Sequence, residues 1–118
     1  MKPKFAPIDL NKFALSPFAE CVFELISEIP EGSVTTYKRI AELTALKTRK
    51  NPCAQAVGQV LKKNPNAPLI PCHRVVHNDG SLCPGYTFGG EGIQRGLLES
   101  EGVPFLPNGK VDMPTCEW

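Results

Sequence analysis

Two pairs of residues mark helix starts in the first half of the chain. Ser16-Pro17 and Asn51-Pro52 each combine a side chain that caps helices with a proline suited to the first helical position. Helix breakers follow both pairs, Pro30 with Gly32 in the first case and Asn64-Pro65 in the second. The spacing therefore predicts one helix over 17–29 and another over 52–63.

A further helix is predicted between these two, capped by Thr36 and running from Tyr37 to Leu46. Together with the helix over 52–63 it forms a helix-turn-helix pattern, in which the second helix carries basic residues towards DNA. Gly58 in the middle of that second helix costs up to about 1 kcal/mol relative to Ala, so we expect it to pack closely against a neighbour. The residues expected to face the core are Phe18, Val22, Leu25, Ile26 and Ile29 in the first helix, Ile40, Leu43 and Leu46 in the next, and Val57, Val60 and Leu61 in the last.

The second half of the chain predicts less regular structure. Leu69-Ile70 and Val75-Val76 are short apolar pieces that form either strand fragments or a tight buried turn. Residues 77–92 hold five glycines and one proline, which favours a loop. A short helix from Ile93 to about Ser100 follows, with Leu97 and Leu98 buried. The tail after Gly102 is either a packed extension or partly ordered.

These elements predict a mostly α fold with a small β element, a winged-helix-like helix-turn-helix domain. We expect one domain over residues 1–118, with a lead-in segment 1–15, a core 16–102 and a C-terminal tail 103–118. No apolar run approaches the roughly 18 residues that a membrane span needs. The N-terminus has no apolar stretch typical of a secretory signal, so we expect a cytoplasmic location, at the nucleoid or in the nucleus.

Charge is distributed unevenly along the chain. No Asp or Glu occurs from Leu43 to Asn78, and the segment 34–78 carries eight basic residues and one acidic residue. The remainder carries five basic and eleven acidic residues, which leaves a net charge of +1. A basic middle between acidic ends indicates an anionic partner on one face, with nucleic acid the leading candidate and a solvated basic surface the alternative.

Cys72 is the main candidate for chemistry. A cysteine attacks as the thiolate, and a histidine that takes its proton, such as the neighbouring His73, makes it a nucleophile. Glu99 and Glu101 are the carboxylates best placed to orient that histidine. A zinc site from Cys72, His73, His77 and Cys83 fits poorly, because all four lie within 12 residues and two are adjacent. A buried inert cysteine is the remaining alternative. The five cysteines are odd in number and form no CxxC pair, so we expect at least four free thiols.

The residues around Cys72 resemble a known family. PCHRV, residues 71–75, is the active-site signature of the O6-alkylguanine-DNA alkyltransferases, the methylated-DNA–protein-cysteine methyltransferases. The stretches IPEGSVTTYKRIAEL, AVGQVLKKNP, GYTFGG and LLESEG resemble further segments of that family. The resemblance covers about residues 16–102, and we expect the family's usual N-terminal domain to be missing.

The resemblance implies a suicide reaction on double-stranded DNA that contains O6-alkylguanine. The protein would bind through the minor groove, flip the modified guanine out of the stack and transfer its alkyl group irreversibly to Cys72 by an SN2 displacement. His73, acting through a water and oriented by Glu101, would hold the thiolate. Tyr37 would help to rotate the nucleotide and donate to the guanine leaving group. No metal or organic cofactor is implied, and we expect a monomer.

The resemblance also assigns residues that contact the substrate and the DNA. The backbone carbonyls of Cys72 and Val75 would read the guanine edge, Tyr86 and Thr87 would line the pocket, and Asn64 and Arg74 would buttress the site. Gln55 stands where the family has an arginine finger that fills the gap left by the flipped base. The residues implied for DNA binding are Thr36, Lys38, Gln55, Ala56, Gly58, Lys62 and Lys63.

Two other functions stay open. The short chain and its tail resemble the alkyltransferase-like proteins, which bind alkylated guanine without removing the alkyl group and hand the lesion to nucleotide excision repair proteins. The presence of Cys72 favours transfer over binding alone. A helix-turn-helix regulator would need sequence-specific duplex binding, usually as a dimer, and would leave PCHRV unexplained.

Overall fold

A computed structural model describes residues 16–49, 51–67, 69–84, 86 and 88–118. The predicted lead-in segment 1–15 lies outside the described residues. Three helices occupy the first half of the described chain, α1 (Pro17–Ile26), α2 (Tyr37–Thr48) and α3 (Ala54–Leu61). Two of the predicted caps are confirmed: the Ser16 side chain accepts from the Ala19 N–H, and the Thr36 side chain accepts from the Arg39 N–H.

The start of α3 was predicted wrongly. Asn51 is not its cap, because the backbone is still extended at Cys53, the N-cap residue, and the first helical hydrogen bond runs from the Val57 N–H to the Cys53 carbonyl. The end of α1 also differs from the prediction. The helix stops at Ile26, and a tighter turn, in which the Ile29 N–H donates to the Ile26 carbonyl, carries Ile29 into the core.

Two predictions about packing, the burial of Leu46 and the close packing of Gly58 against a neighbour, are also wrong. Leu46 is 78% exposed, because α2 buries Ile40, Ala41 and Thr44 and thereby turns Leu46 away. Gly58 has no close neighbour, since a Cβ added there would meet no heavy atom within 4 Å.

A small parallel sheet joins the two halves of the chain. Strand β1 (Thr35–Thr36) pairs with β2 (Val75–Val76), with Thr35 opposite Val75 and Thr36 opposite Val76. A 3₁₀ turn, Cys72–Arg74, runs directly into β2. The predicted mostly α fold with a small β element is therefore confirmed, and the second apolar piece is the one that forms a strand.

The tail is a packed extension of the fold. After α4 (Gly90–Ser100) the chain returns to the sheet, and a short α5 (Met113–Cys116) precedes the C-terminus. The Val34 N–H donates to the Cys116 carbonyl at 3.0 Å, and the Trp118 N–H donates to the Val34 carbonyl at 2.7 Å. The tail thus lies beside the residue that leads into β1. Helix α4 begins three residues before the predicted Ile93, and Leu98 is fully buried on it, while Leu97 is half-buried.

Two clusters of buried side chains meet at the segment that follows Pro71. The first cluster includes Val22, Ile26, Ile40, Val57, Cys72 and Val75. The second includes Val34, Val76, Leu82, Leu98, Val103 and Val111. Cys72 therefore stands on a turn that is fixed by packing on both sides. Within the described residues, no helix is long and apolar enough to cross a membrane.

Candidate active site

Cys72 lies at the wall of a cavity of about 310 Å³. Its backbone N–H donates to the Ile70 carbonyl at 2.8 Å, and its side chain is almost wholly buried. Helix α3 forms one side of the cavity, and the lining residues Gln55 and Lys62 are exposed. The lining residues are Tyr37, Ala54, Gln55, Gly58, Leu61, Lys62, Cys72, His77, Cys83, Tyr86 and Phe88.

The Cys72 thiol is neutral in the resting protein. Burial raises the pKa of the thiol, and hydrogen bonds with the side chains of Asn64 and Tyr86 only partly offset this. The Tyr86 hydroxyl lies 3.9 Å from the Cys72 Sγ. Asn64 is also buried, and its Nδ2 donates to the Ile70 carbonyl at 2.8 Å, which fixes the loop that leads to Cys72.

Behind Cys72, His73 and Arg74 share one carboxylate. The His73 Nε2 lies 2.8 Å from the Glu101 Oε2. The Arg74 Nε donates to Oε1 at 2.9 Å and its Nη2 to Oε2 at 2.8 Å, while its Nη1 donates to the Ile29 carbonyl at 2.6 Å. A carboxylate can only accept, so the Nε2 of His73 carries the proton. The Nδ1 is left as an acceptor, buried and without a partner among the described residues.

Burial and charge set the resting protonation of this group. Burial lowers the pKa of His73, and Glu101 only partly counteracts it, so the imidazole is neutral. Burial alone would raise the pKa of Glu101, but hydrogen bonds from Arg74 and His73 outweigh it and the pKa falls. In the resting site the Cys72 thiol and the His73 imidazole are therefore neutral, and the Glu101 carboxylate is ionised.

Tyr37 enters the same cavity from the start of α2. Its ring lies 5.2 Å from the ring of His77, centroid to centroid, at 41°. Burial, together with the neighbouring Cys83, raises the pKa of Tyr37, so its hydroxyl stays protonated and can donate a hydrogen bond.

The structure brings most of the predicted site residues together around this cavity. Tyr37, Gln55, Gly58, Lys62, Cys72 and Tyr86 line it. Asn64, His73, Arg74 and Glu101 lie around Cys72 in the contacts given above. Of the two carboxylates considered as partners of His73, Glu101 is the one in contact with it. Glu99 instead pairs with Arg95 one turn earlier on α4.

Other predicted residues lie away from the lining. Val75 is fully buried in β2, and Thr36 is buried with its hydroxyl engaged as the α2 cap. Lys38 and Lys63 are exposed and Ala56 is half-buried. Thr87 lies outside the described residues. The roles assigned to all of these stay predictions.

The residues of the alternative zinc site, Cys72, His73, His77 and Cys83, are not arranged as metal ligands. The part of the chain that the structure describes has no group of three His, Cys, Asp or Glu side chains able to hold a metal ion. All five cysteines are free thiols, and at least four were expected to be.

Sequence reasoning missed Gln94. This side chain is fully buried on α4, where its Nε2 donates to the carbonyls of His73 and Val75 and its Oε1 accepts from the Cys83 N–H. A signal was available, because Gln94 lies one turn before the buried Leu98 and so on the apolar face of the helix.

Comparison with known proteins finds one matching family model and several similar sequences. A family model described as "6-O-methylguanine DNA methyltransferase, DNA binding domain" matches residues 17–103. A methylated-DNA–protein-cysteine methyltransferase of Saccharolobus islandicus is 42% identical over 97 residues, which cover 82% of this chain and 56% of that protein. The chain thus spans about half the length of the curated relatives it matches.

Solved structures with the same fold include complexes with DNA. Schizosaccharomyces pombe Atl1, in complex with damaged DNA containing O6-carboxymethylguanine, superposes with a TM-score of 0.71 at 30% identity, covering 88% of this chain and 96% of that chain. Mycobacterium tuberculosis OGT in complex with DNA gives a TM-score of 0.65 at 36% identity, covering 74% of this chain and 50% of that chain.

Proposed function

Because this chain belongs to the 6-O-methylguanine DNA methyltransferase family, we propose that it repairs alkylated DNA by moving the alkyl group from O6 of guanine to Cys72. The observation that carries this proposal is the position of Cys72. Its thiol lines a cavity between the two helices of the helix-turn-helix and the loop that carries Cys83 and Tyr86, called here the Tyr86 loop. A cavity of about 310 Å³ can take one flipped base. The proposed partner is double-stranded DNA containing O6-alkylguanine, as in the complex of the Schizosaccharomyces pombe neighbour.

The proposed reaction is one displacement. The thiol proton moves through a water to the Nδ1 of His73, which is the free acceptor of that ring. Glu101 stabilises the imidazolium that forms. The Cys72 sulfur then attacks the alkyl carbon, the carbon–O6 bond breaks, and the electron pair leaves with the guanine. Tyr37 donates a hydrogen bond to this leaving group. The thioether persists, so each protein molecule reacts once.

Charge and position support DNA contact at the mouth of the cavity. Gln55 on α3 and Lys62, which directly follows that helix, are exposed and line the cavity. Lys38 and Lys63 add positive charge close by in the chain and would contact phosphates. Gln55 would occupy the gap in the duplex without supplying a charge.

Intact-mass measurement tests transfer directly. The protein is incubated with a duplex that contains one O6-methylguanine, and we expect a mass gain of one CH₂ unit that maps to the Cys72 peptide. Cys72→Ser should show no gain, and Cys53→Ser, which removes an exposed thiol outside the cavity, should react like the wild type. A folded protein that binds this duplex and gains no mass would exclude transfer.

Lesion binding without transfer is the second candidate. It is favoured by the match to Atl1, which covers 88% of this chain and 96% of that one, whereas the family model covers residues 17–103. It predicts tighter binding to O6-alkylguanine duplex than to the unmodified duplex, with the alkyl group still on the DNA afterwards. In that case the partners would include nucleotide excision repair proteins.

A further inference from the structure

A closed ring of contacts runs from Cys72 through Gln94 and back. Gln94 reaches from α4 to the Cys72 turn, where its Nε2 donates to the His73 carbonyl at 3.1 Å and to the Val75 carbonyl at 3.2 Å. On its other side the Oε1 accepts from the Cys83 N–H at 3.0 Å. The Cys83 carbonyl accepts from the Tyr86 N–H at 3.1 Å, and the Tyr86 hydroxyl lies 3.9 Å from the Cys72 sulfur.

We propose that Gln94 is a positioning residue that holds the Tyr86 hydroxyl against the Cys72 sulfur and thereby controls how readily that thiol reacts. The inference rests on the proposed function only in taking Cys72 as the nucleophile. Gln94 touches neither the cavity nor the sulfur, so it acts through the backbone on both sides of them.

The three contacts of Gln94 explain why an amide stands in a buried position. Its side chain is fully buried, and an unpaired amide there would destabilise the fold. Donor and acceptor are both used, the donor on the Cys72 turn and the acceptor on the Tyr86 loop. A side chain with only one of these functions could not tie the two segments together.

The hydroxyl that Gln94 positions bears on the reactivity of the thiol. A hydrogen bond from Tyr86 opposes the rise in pKa that burial imposes on Cys72. Loss of that contact would leave the thiolate less stable. Tyr86 has a second anchor on α4, since its carbonyl accepts from the Gly90 N–H at 2.8 Å. The proposal requires that this second anchor does not hold the hydroxyl in place without Gln94. The other titratable groups that face the cavity are Tyr37, Lys62, His77 and Cys83, and His73 adjoins Cys72 in the chain.

The test measures alkylation of Cys72 by iodoacetamide as a function of pH, resolved by peptide mass spectrometry. Gln94→Met fills the same space without either hydrogen-bonding function. We expect it to slow Cys72 alkylation at neutral pH about two- to tenfold, the range for loss of one neutral hydrogen bond, and to move the pH midpoint upward. Tyr86→Phe should give the same change, and the double variant no further change. The exposed Cys53 thiol in each sample is an internal control and should not respond.

Leu98→Ala separates positioning from simple destabilisation. Leu98 is fully buried one turn further along α4 and lies outside the ring, so this variant should melt earlier and keep the wild-type pH profile. A wild-type profile in Gln94→Met, or effects of Gln94→Met and Tyr86→Phe that add, would overturn the inference. If Gln94→Met does not fold, Gln94→Asn takes its place, because the shorter amide cannot reach both segments. The same results would then support or overturn the inference. The iodoacetamide profile needs no DNA, so a protein that fails to demethylate O6-methylguanine duplex still confirms or refutes the role of Gln94.

Discussion

The Nε2 of His73 and the Oε2 of Glu101 are 2.8 Å apart, and this contact determines which nitrogen of the imidazole is free. Because the carboxylate accepts from Nε2, the lone pair on Nδ1 remains available for a proton. Glu101 stands at the C-terminal end of α4, where two hydrogen bonds from Arg74 hold it. The orientation of the proposed base is therefore set by two residues that do not line the cavity.

Glu101→Gln tests this orientation. A glutamine can accept or donate, so the tautomer of His73 is no longer fixed, and the charge that stabilises its protonated form is lost. We expect alkyl transfer from O6-methylguanine duplex to slow at least about tenfold, within the contribution of a positioned base. We also expect stability to fall by about 1–3 kcal/mol, because Arg74 loses a charged acceptor. Single-turnover rates and urea melts measure the two effects.

Glu99→Gln is the matched control for that variant. Glu99 is on the same helix and is about half exposed, paired with Arg95 across one turn. Pairs of this kind contribute about 0.3–0.5 kcal/mol, so stability should change little and the transfer rate should not change. Equal slowing by the two variants would contradict the role given to Glu101.

The stability of the fold should depend on pH through His73. The pKa of His73 in the folded protein is below its ordinary 6.5, so between these values the unfolded chain binds more protons. The free energy of unfolding should therefore begin to fall as pH drops through 6.5. It should fall further below 4.5, because the folded pKa of Glu101 is lowered and its carboxyl group is protonated first in the unfolded chain. Urea midpoints across this range measure the effect.

The chain has two histidines, which makes the assignment testable. His73→Gln should remove the decline that begins near pH 6.5, and His77→Gln, at an exposed position, should retain it.

At alkaline pH the dependence of stability on pH has the opposite sign. The pKa of the buried Cys72 thiol is above its ordinary 9.0 in the folded state, so stability should fall as pH rises past 9.0.

Local sequence signals predicted the helix starts at Ser16 and Thr36 because each depends on one side chain and the nearest turn. The same signal failed at Asn51, where the backbone stays extended through Cys53 and no capping contact forms. Leu46 failed for a different reason. Which residues of α2 are buried depends on the angle at which it packs on α1 and α3, and helical spacing alone does not give that angle.

The candidate site was likewise predicted in part from the sequence. Cys72 was found because Cys, His and Arg adjoin in the sequence, and the resemblance to a family supplied Tyr37 and Glu101. The place of Gln94 on the apolar face of α4 was a signal for its burial but not for its role, because its three partners lie between 11 and 21 residues away and all are backbone groups that carry no sequence signature. Tertiary contacts of this kind become visible only when the turn and the loop are both placed.

Gln55→Arg is expected to improve DNA binding. Gln55 lines the mouth of the cavity on α3, and a guanidinium there adds a positive charge and hydrogen-bond donors. We expect tighter binding to O6-methylguanine duplex, faster transfer, and a salt dependence steeper by about one in the log–log slope. The control is Gln59→Arg, since Gln59 is exposed on the same helix and does not line the cavity. Equal acceleration by both variants would show that added charge, and not the finger position, is what matters.

Gly58→Ala should stabilise the fold and weaken lesion binding. A Cβ on Gly58 would meet no heavy atom within 4 Å, so the helix gains up to about 1 kcal/mol from replacement of a mid-helix glycine without a steric penalty. The added methyl group would project into the cavity, which Gly58 lines, and narrow the space for a flipped base.

Gly96→Ala is the matched control. A Cβ on Gly96 of α4 would also meet no heavy atom within 4 Å, and Gly96 does not line the cavity. Urea melts should show both variants stabilised, and titration with O6-methylguanine duplex should show weaker binding for Gly58→Ala alone. Unchanged binding by a stabilised Gly58→Ala would mean that the flipped base does not pass this face of α3.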